Sequence, residues 1–288
     1  MSQAQNLANL SQLFTSWPLP FRNRIINGDF RVLQRGGGLI ATLGAAIYKY
    51  DRWYNVAVGA GVTIAQSGPS ITGSNQIAIS GAAGNTQTLL GQRIESINIA
   101  DLMGKTVSLS GWMYRTATTP ITVNCHTATA KDNFSTVNAN YQVMPMPQQA
   151  VNTWTRFSGS FTMPSGTNNG AAIEFACGAC LAGETIYFAD VQLEVGAVAT
   201  QFERKLVSFE IDLCQRYFLQ FNQVYTAQDG SYKQCFFPVG MRVAPTVTAN
   251  VTTGTFALGG AFGLGAYCVL NGTYPFNTQV TWIFDAEL

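Results

Sequence analysis

The sequence is poor in charge. Charged residues make up 11% of its 288 positions, against roughly 25% in an ordinary soluble domain. The 16 basic and 15 acidic side chains leave a formal net charge of +1. Because affinity for phosphate backbones comes from clustered lysine and arginine, we expect no nucleic-acid partner. The hydrophobic content of 47% also excludes a disordered chain, which combines low hydrophobicity with high net charge.

Long apolar runs are missing as well. Residues 53–92 and 243–284 contain no Asp, Glu, Lys or Arg, but Gly, Asn, Thr, Gln and Ser interrupt both stretches. A spanning helix needs about 20 predominantly apolar residues, so we expect no membrane span. The first residues lack a basic segment followed by an apolar block, which predicts a chain without a secretory signal, made in a host cytoplasm. A surface with so little charge favours contacts with other protein subunits.

Common catalytic motifs are absent. The only histidine is His126, no G-x-S-x-G occurs, and Gly36-Gly37-Gly38 is not followed by G-K-[ST]. These absences argue against a serine hydrolase and a phosphate-binding loop. The sequence does not exclude a glycoside hydrolase site with two paired carboxylates, because spacing alone does not decide whether two acidic residues meet in the fold. We expect a protein that is not an enzyme, with a polysaccharide hydrolase as an alternative.

Six cysteines give no disulfide framework, but Cys177 and Cys180 have C-x-x-C spacing. No Lys, Arg or His lies between Glu174 and Glu184 to lower a thiol pKa, and no second C-x-x-C could complete a zinc site. We therefore expect neither redox catalysis nor zinc binding. Structural thiols, a disulfide or inter-subunit cross-links are the alternatives.

The residue patterns divide the chain into four parts. Residues 1–22 predict an N-terminal attachment arm, with Leu7, Leu10 and Phe14 at helical spacing. Short β-like runs between Gly-, Asn- and Ser-rich turns predict a jelly-roll sandwich over 23–203, with an irregular strand at Ala189-Asp190. Helical spacing returns over 204–221. Residues 222–288 predict a smaller β region, and their charge-free stretch predicts that it forms a homo-oligomer, most simply a trimer.

Six short phrases follow one another along roughly residues 23–250. They are Asn23-Arg24-Ile25-Ile26-Asn27-Gly28-Asp29-Phe30, Gly91-Gln92-Arg93-Ile94-Glu95 with Leu102–Trp112, Trp154-Thr155-Arg156-Phe157, Phe188-Ala189-Asp190-Val191-Gln192-Leu193-Glu194 with Ala199–Arg204, Leu213-Cys214-Gln215-Arg216-Tyr217-Phe218 and Met241-Arg242-Val243-Ala244-Pro245-Thr246-Val247. In this order they resemble a family of bacteriophage and prophage tail proteins whose jelly-roll domain is similar to carbohydrate-binding modules. The resemblance implies a virion structural protein, such as a tail-fibre or collar component, with other virion proteins as partners and a role in host attachment.

The same resemblance implies two kinds of site. Many such modules hold a structural calcium, for which Asp29 and Asp190 are candidate ligands; the alternative is that Asp29 caps a turn and Asp190 pairs with an arginine. We expect no other cofactor. Aromatic rings stack on the apolar faces of sugars, so Trp53, Trp112, Tyr114 and Trp154 are candidates for binding a bacterial surface glycan. A stand-alone carbohydrate-binding protein is therefore an alternative to the virion role.

Overall fold

A computed structural model describes residues 21–41, 43–117, 120–138, 141–146, 150–225, 233–251, 267–270 and 278–288. Nearly all of the arm predicted over 1–22 lies outside these residues. The same holds for 252–266 and 271–277 of the charge-free stretch. The described part of the chain is mainly β, which confirms the predicted fold class.

Eighteen strands and two α-helices are described. The strands are β1 (Gly38–Leu39), β2 (Ile47–Tyr50), β3 (Trp53–Val58), β4 (Thr63–Ser67), β5 (Gln76–Ser80), β6 (Gln87–Ile94), β7 (Thr106–Arg115), β8 (Thr122–Ala130), β9 (Asn133–Val137), β10 (Tyr141–Pro145), β11 (Thr155–Thr162), β12 (Ala171–Gly178), β13 (Thr185–Val195), β14 (Phe218–Tyr225), β15 (Lys233–Phe236), β16 (Thr246–Val251), β17 (Tyr267–Leu270) and β18 (Thr278–Asp285). The helices are α1 (Ser96–Ile99) and α2 (Val207–Gln215), and short 3₁₀ turns cover Ala100–Leu102 and Ser165–Asn169.

Two antiparallel sheets form a jelly-roll sandwich. The first sheet has the strand order β1-β4-β5-β13-β7-β11, and the second has β10-β8-β12-β6-β3-β2 with β9 beside β8. Apolar side chains from both inner faces form one large core, as expected when two sheets pack face to face. The chain's C-terminal Leu288 packs on the outer face of the second sheet, against Phe134 and Ala172.

Strand β7 shows how the sequence produces this arrangement. Val107, Leu109 and Met113 are fully buried, whereas Trp112 and Tyr114 are half-buried. Successive side chains of a strand point to opposite faces, so the apolar residues at odd positions enter the core. The aromatic residues between them are placed on the outer face of the first sheet.

Strand β13 contains the irregularity that the sequence predicted. Its register against β7 shifts between Ala189 and Gln192, and Asp190 has a φ of 50°. Gly28 lies against this bulge: its carbonyl oxygen accepts a hydrogen bond from the Val191 N–H at 2.8 Å. A Cβ on Gly28 would stand 2.2 Å from the Val191 oxygen. The close approach of two backbones therefore explains the glycine of the Asn27-Gly28-Asp29-Phe30 phrase.

The helix predicted over 204–221 is shorter in the structure. It covers Val207–Gln215, and Phe218 already begins strand β14. Strand β14 pairs along its whole length with β18, about sixty residues later in the chain. This distant pairing decides the conformation of residues that local spacing alone assigned to the helix.

The C-terminal region has a small core of its own and is fastened to the sandwich. Strands β14, β18 and β16 form a three-stranded sheet over a cluster that includes Trp282 and Phe284. Arg52 of the sandwich is 1% exposed, stacks on the Tyr217 ring at 3.4 Å and pairs with Glu287. Two charges buried together hold the two parts in contact, because separating them would leave each charge without its partner.

Candidate functional site

Three aromatic side chains form a row on the outer face of the first sheet. Tyr187 of β13 is the register partner of Tyr114 of β7, and their ring centroids are 5.5 Å apart. Trp154, which directly precedes β11, lies 5.7 Å from Tyr114 and 6.3 Å from Tyr187. All three rings are half-buried. We call Tyr114, Trp154 and Tyr187 the aromatic platform.

The turn before β11 positions Trp154 over its neighbours. Asn152 has a φ of 59°, and its N–H donates to the Arg115 carbonyl at 2.8 Å. The Tyr114 hydroxyl donates to the Asn152 side chain at 3.3 Å. These contacts tie the turn to the end of β7, so the platform is built on paired strands rather than on a free loop.

A pocket of about 400 Å³ adjoins the platform. Trp112 stands in the next outward position along β7, with Ala189 of β13 and Arg156 of β11 as its register partners. The pocket is lined by Thr72, Ser110, Gly111, Trp112, Arg156, Asp190, Gln201, Phe202 and Arg204.

The chain segment after β13 forms one wall of this pocket. Gln192 is fully buried; its side-chain oxygen accepts the Glu203 N–H at 2.7 Å, and its amide donates to Glu194 at 2.8 Å. Glu194 in turn accepts the backbone N–H and the hydroxyl of Thr200, at 2.8 and 2.7 Å. Buried polar groups of β13 thus fold residues 200–204 back over the sheet, which brings Gln201, Phe202 and Arg204 to the pocket.

Asp190 supplies the carboxylate among the residues that line the pocket. It is 4% exposed, accepts a hydrogen bond from the Ser74 hydroxyl at 2.8 Å, and lies 3.6 Å from the Arg204 guanidinium. Asp29 is close behind it and pairs with Arg31 at 2.5 Å. Burial raises the pKa of Asp29, against the effect of Arg31, and the charge of Asp190 raises this pKa further.

A calcium ion at Asp29 and Asp190 does not fit these surroundings. A guanidinium already stands beside each carboxylate, and it would have to move before a divalent cation could take its place. Calcium needs six to eight oxygen ligands. Across the described residues no group of three or more His, Cys, Asp or Glu side chains could hold a metal ion. The arginine pairing that was the alternative for Asp190 is what the structure contains.

Of the four aromatic residues predicted to bind a glycan, Trp53 is wrong. It is fully buried, its ring centroid lies 5.1 Å from that of Phe30, and its indole N–H donates to the Asn27 carbonyl at 2.9 Å. A ring with no exposed face cannot stack on a sugar. Trp112, Tyr114 and Trp154, in contrast, lie together on one face of the first sheet.

Cys177 and Cys180 are free thiols, so they do not form a disulfide with each other, and both are fully buried, so neither sulfur is exposed for a cross-link to another subunit. Burial raises the pKa of Cys177 to about 12 and that of Cys180 to about 11, although the Arg115 guanidinium opposes both shifts. Arg115 donates to the Cys177 and Ala179 carbonyls at 2.5 and 2.6 Å, which fixes the loop backbone. Structural thiols are the alternative that this geometry supports.

The sequence analysis missed Tyr187, Arg156 and Arg204. A period-2 pattern could have found Tyr187, because it lies between Ile186 and Phe188, which are both fully buried. Arg156 and Arg204 carry no such local signal. Their place depends on the register of β11 against β7 and on the chain folding back after β13.

In the part of the chain that the structure describes, no helix has the length and apolar character needed to cross a membrane. No protein-family model matches the sequence, and no curated protein matches it.

Several solved structures are similar to part of the fold. The enzymatically active domain of bacteriophage CBA120 tailspike protein 4 aligns with 62% of this chain, at 17% identity and a TM-score of 0.41. The aligned part is only 22% of the tailspike chain. A structure described as CBM4 aligns with 59% of this chain and 98% of its own, at 23% identity and a TM-score of 0.37.

The CBM22-1 xylan-binding domain from Paenibacillus barcinonensis Xyn10C aligns with 50% of this chain and 87% of its own. Its identity is 14% and its TM-score is 0.35. These likenesses are partial, and at such low identity they say nothing about what this chain binds.

Proposed function

We propose that the protein binds glycans on the outer face of its first sheet. The observation that carries this proposal is the row of half-exposed rings of Tyr114, Trp154 and Tyr187 beside a pocket of about 400 Å³. Sugar rings have apolar faces that stack on aromatic side chains, and polar side chains then fix their orientation. Ser110, Thr72 and Gln201 supply neutral hydrogen-bonding groups within the pocket.

Two features support binding by a pre-formed surface. The platform residues come from strands β7 and β13 and from the start of β11, which are hydrogen-bonded to one another. The wall over residues 200–204 is held by buried side chains of β13. A surface that is ordered before it binds loses less conformational entropy on binding.

We also propose that the protein does not catalyse glycan hydrolysis. Canonical glycosidases place two carboxyl groups on either side of the scissile bond. Of the described residues that line the pocket, Asp190 is the sole carboxylate, and Ser74 and Arg204 hold it. Release of reducing ends from a bound polysaccharide would overturn this proposal and favour the hydrolase alternative.

The site of action that we propose is the virion of a tailed phage. Support comes from the six ordered phrases of the sequence. Antibody labelling of phage particles, read by electron microscopy, should place the chain on a tail, collar or other surface appendage. Absence from particles, combined with glycan binding by the free chain, would favour a stand-alone carbohydrate-binding protein.

A glycan array that includes bacterial surface polysaccharides tests the binding proposal. We expect the wild-type protein to bind a subset of glycans, and Trp154→Ala and Tyr187→Ala to weaken that binding about tenfold or more, since large aromatic anchors dominate such contacts. Phe209→Ala is the matched control, because Phe209 is an exposed aromatic on α2 that lines a different pocket. Equal binding by all four proteins would contradict the proposal.

A further inference from the structure

We propose that the pocket beside the platform selects sugars that carry an anionic group, a uronate-type carboxylate first of all. This inference rests on the glycan binding proposed above and adds the ligand class to it. The inference depends on two charged side chains of the pocket, Arg156 and Arg204. Neither belongs to the aromatic platform.

The side chain of Arg156 is exposed and makes few contacts with the rest of the protein. Of its five N–H donors, one contacts a described residue, the Thr200 carbonyl, at a distance of 3.4 Å. No described carboxylate pairs with it, whereas Arg24, Arg31, Arg204 and Arg216 each pair with one. Its donors therefore remain available at the pocket, directly across the β7–β11 ladder from Trp112.

Arg204 stands on the opposite wall and is only partly neutralised. Its side chain is 45% exposed, and the same nitrogen, Nη2, faces the Asp190 carboxylate at 3.6 Å and donates to the Thr72 carbonyl at 3.4 Å. Among the residues that the structure describes, none accepts a hydrogen bond from the other nitrogens of this guanidinium. Asp190 itself is nearly buried, with the Ser74 hydroxyl bound to its other oxygen.

The charges of the pocket therefore do not balance. Two guanidinium groups, Arg156 and Arg204, and one carboxylate line the pocket, and the Asp190 carboxylate is already engaged by Arg204 and Ser74. A guanidinium matches a carboxylate or phosphate with two parallel hydrogen bonds, and such charge-assisted bonds are about twice as strong as neutral ones. In a sequence with 11% charged residues, two arginines around one tryptophan indicate an anionic ligand rather than a neutral one.

The geometry of the pocket fits a sugar that makes two contacts at the same time, one through its ring and one through its acidic group. Its ring would stack on Trp112, and its acidic group would lie between Arg156 and Arg204, while neighbouring sugars of the same chain extend over the aromatic platform. Phosphate and sulfate esters share this chemistry with uronates. The glycans used as probes therefore have to separate the three groups.

The test uses oligogalacturonate, its neutral methyl ester, and an array of uronate-, phosphate- and sulfate-bearing glycans beside neutral ones. We expect the wild-type protein to bind acidic glycans and to bind the methyl ester, or the neutral member of any matched pair, at least tenfold more weakly. Arg156→Gln should weaken acidic binding about 10- to 100-fold, because it removes a charge-assisted contact. Lys131→Gln, at the exposed β8–β9 turn of the second sheet, is the charge control and should bind as the wild type does.

The outcomes separate the two proposals. Binding that is confined to neutral glycans, or an Arg156→Gln profile equal to that of the wild type, overturns the anionic selection. If Trp154→Ala still abolishes the glycan binding that is observed, the proposal of glycan binding on the aromatic platform is supported, and only the anionic selection is wrong. An array with no bound glycan overturns both. Preference for phosphate or sulfate esters over uronates would support an anionic ligand but show that a carboxylate is not the preferred anionic group.

Discussion

Single residues of the ordered phrases connect parts of the fold that are distant in sequence. Gln92 binds both the N–H and the carbonyl of Ile26, at 2.8 Å each. Glu95 accepts the Tyr217 hydroxyl at 2.9 Å and pairs with Arg216 at 3.2 Å. These residues are buried or half-buried and face other phrases rather than the platform. The phrases that carry the family resemblance therefore include residues that hold the fold together, whereas Trp154 and Arg156 of another phrase belong to the proposed binding face.

Gly28 gives the first prediction at this scale. Gly28→Ala would place a Cβ 2.2 Å from the Val191 oxygen, and neither backbone can yield without breaking the hydrogen bond between them. We expect a loss of about 1–3 kcal/mol in the free energy of unfolding, as for other overpacked sites. Gly68→Ala is the control, since nothing lies within 4 Å of its Cβ position. Urea denaturation of both variants measures the difference, and equal stabilities would contradict the packing.

The cysteines give the second prediction. With pKa values of about 12 and about 11, Cys177 and Cys180 hold a thiolate fraction of roughly one in a thousand or less at pH 8. We expect iodoacetamide to leave both unmodified in the folded protein and to modify both in urea. Peptide mass mapping identifies the modified residues. Rapid native labelling of either cysteine would show that the site is accessible and reactive.

The sequence could distinguish the outward aromatic residues only in part. Trp112 and Tyr114 follow the alternation of β7, so their common face is predictable. Trp53 has the same residue type and also lies in a strand, yet it is fully buried against Phe30. The difference comes from the 27–30 segment folding over it, a tertiary contact that leaves no local pattern.

At the scale of elements, buried ion pairs help to join the C-terminal strands to the sandwich. Arg35 pairs with Asp285 at 3.0 Å and with Glu287 at 3.3 Å, and Arg52 pairs with Glu287. The local sequence gave no indication of this junction, because its partners are more than 200 residues apart. Strand β14 was predicted as the continuation of a helix for a similar reason, because its partner β18 lies about sixty residues later in the chain.

Glu287 gives the prediction for this junction. Glu287→Ala removes a side chain that is 5% exposed and leaves the buried Arg52 without its carboxylate. We expect a loss of about 3–5 kcal/mol, the usual cost of breaking a buried pair from one side. Asp101→Ala breaks the surface pair with Arg24, where the acid is 52% exposed, and should cost less than about 1 kcal/mol. Similar midpoints in urea for both variants would contradict a buried junction.

At the scale of the whole molecule, self-association through residues 222–288 stays a prediction. Val224 and Val243 are exposed in this region, and both are apolar. Light scattering coupled to size exclusion should give three chain masses if the homotrimer forms. A well-folded monomer of the full chain at micromolar concentration would contradict the prediction.

The central claim is that glycans bind on the outer face of the first sheet. A crystal structure of the protein with an oligosaccharide selected by the array tests it most directly. We predict sugar density over Tyr114, Trp154 and Tyr187 that continues into the pocket beside Trp112. Density on the second sheet, or at the separate pocket near Phe209, with the platform uncovered, would contradict the claim.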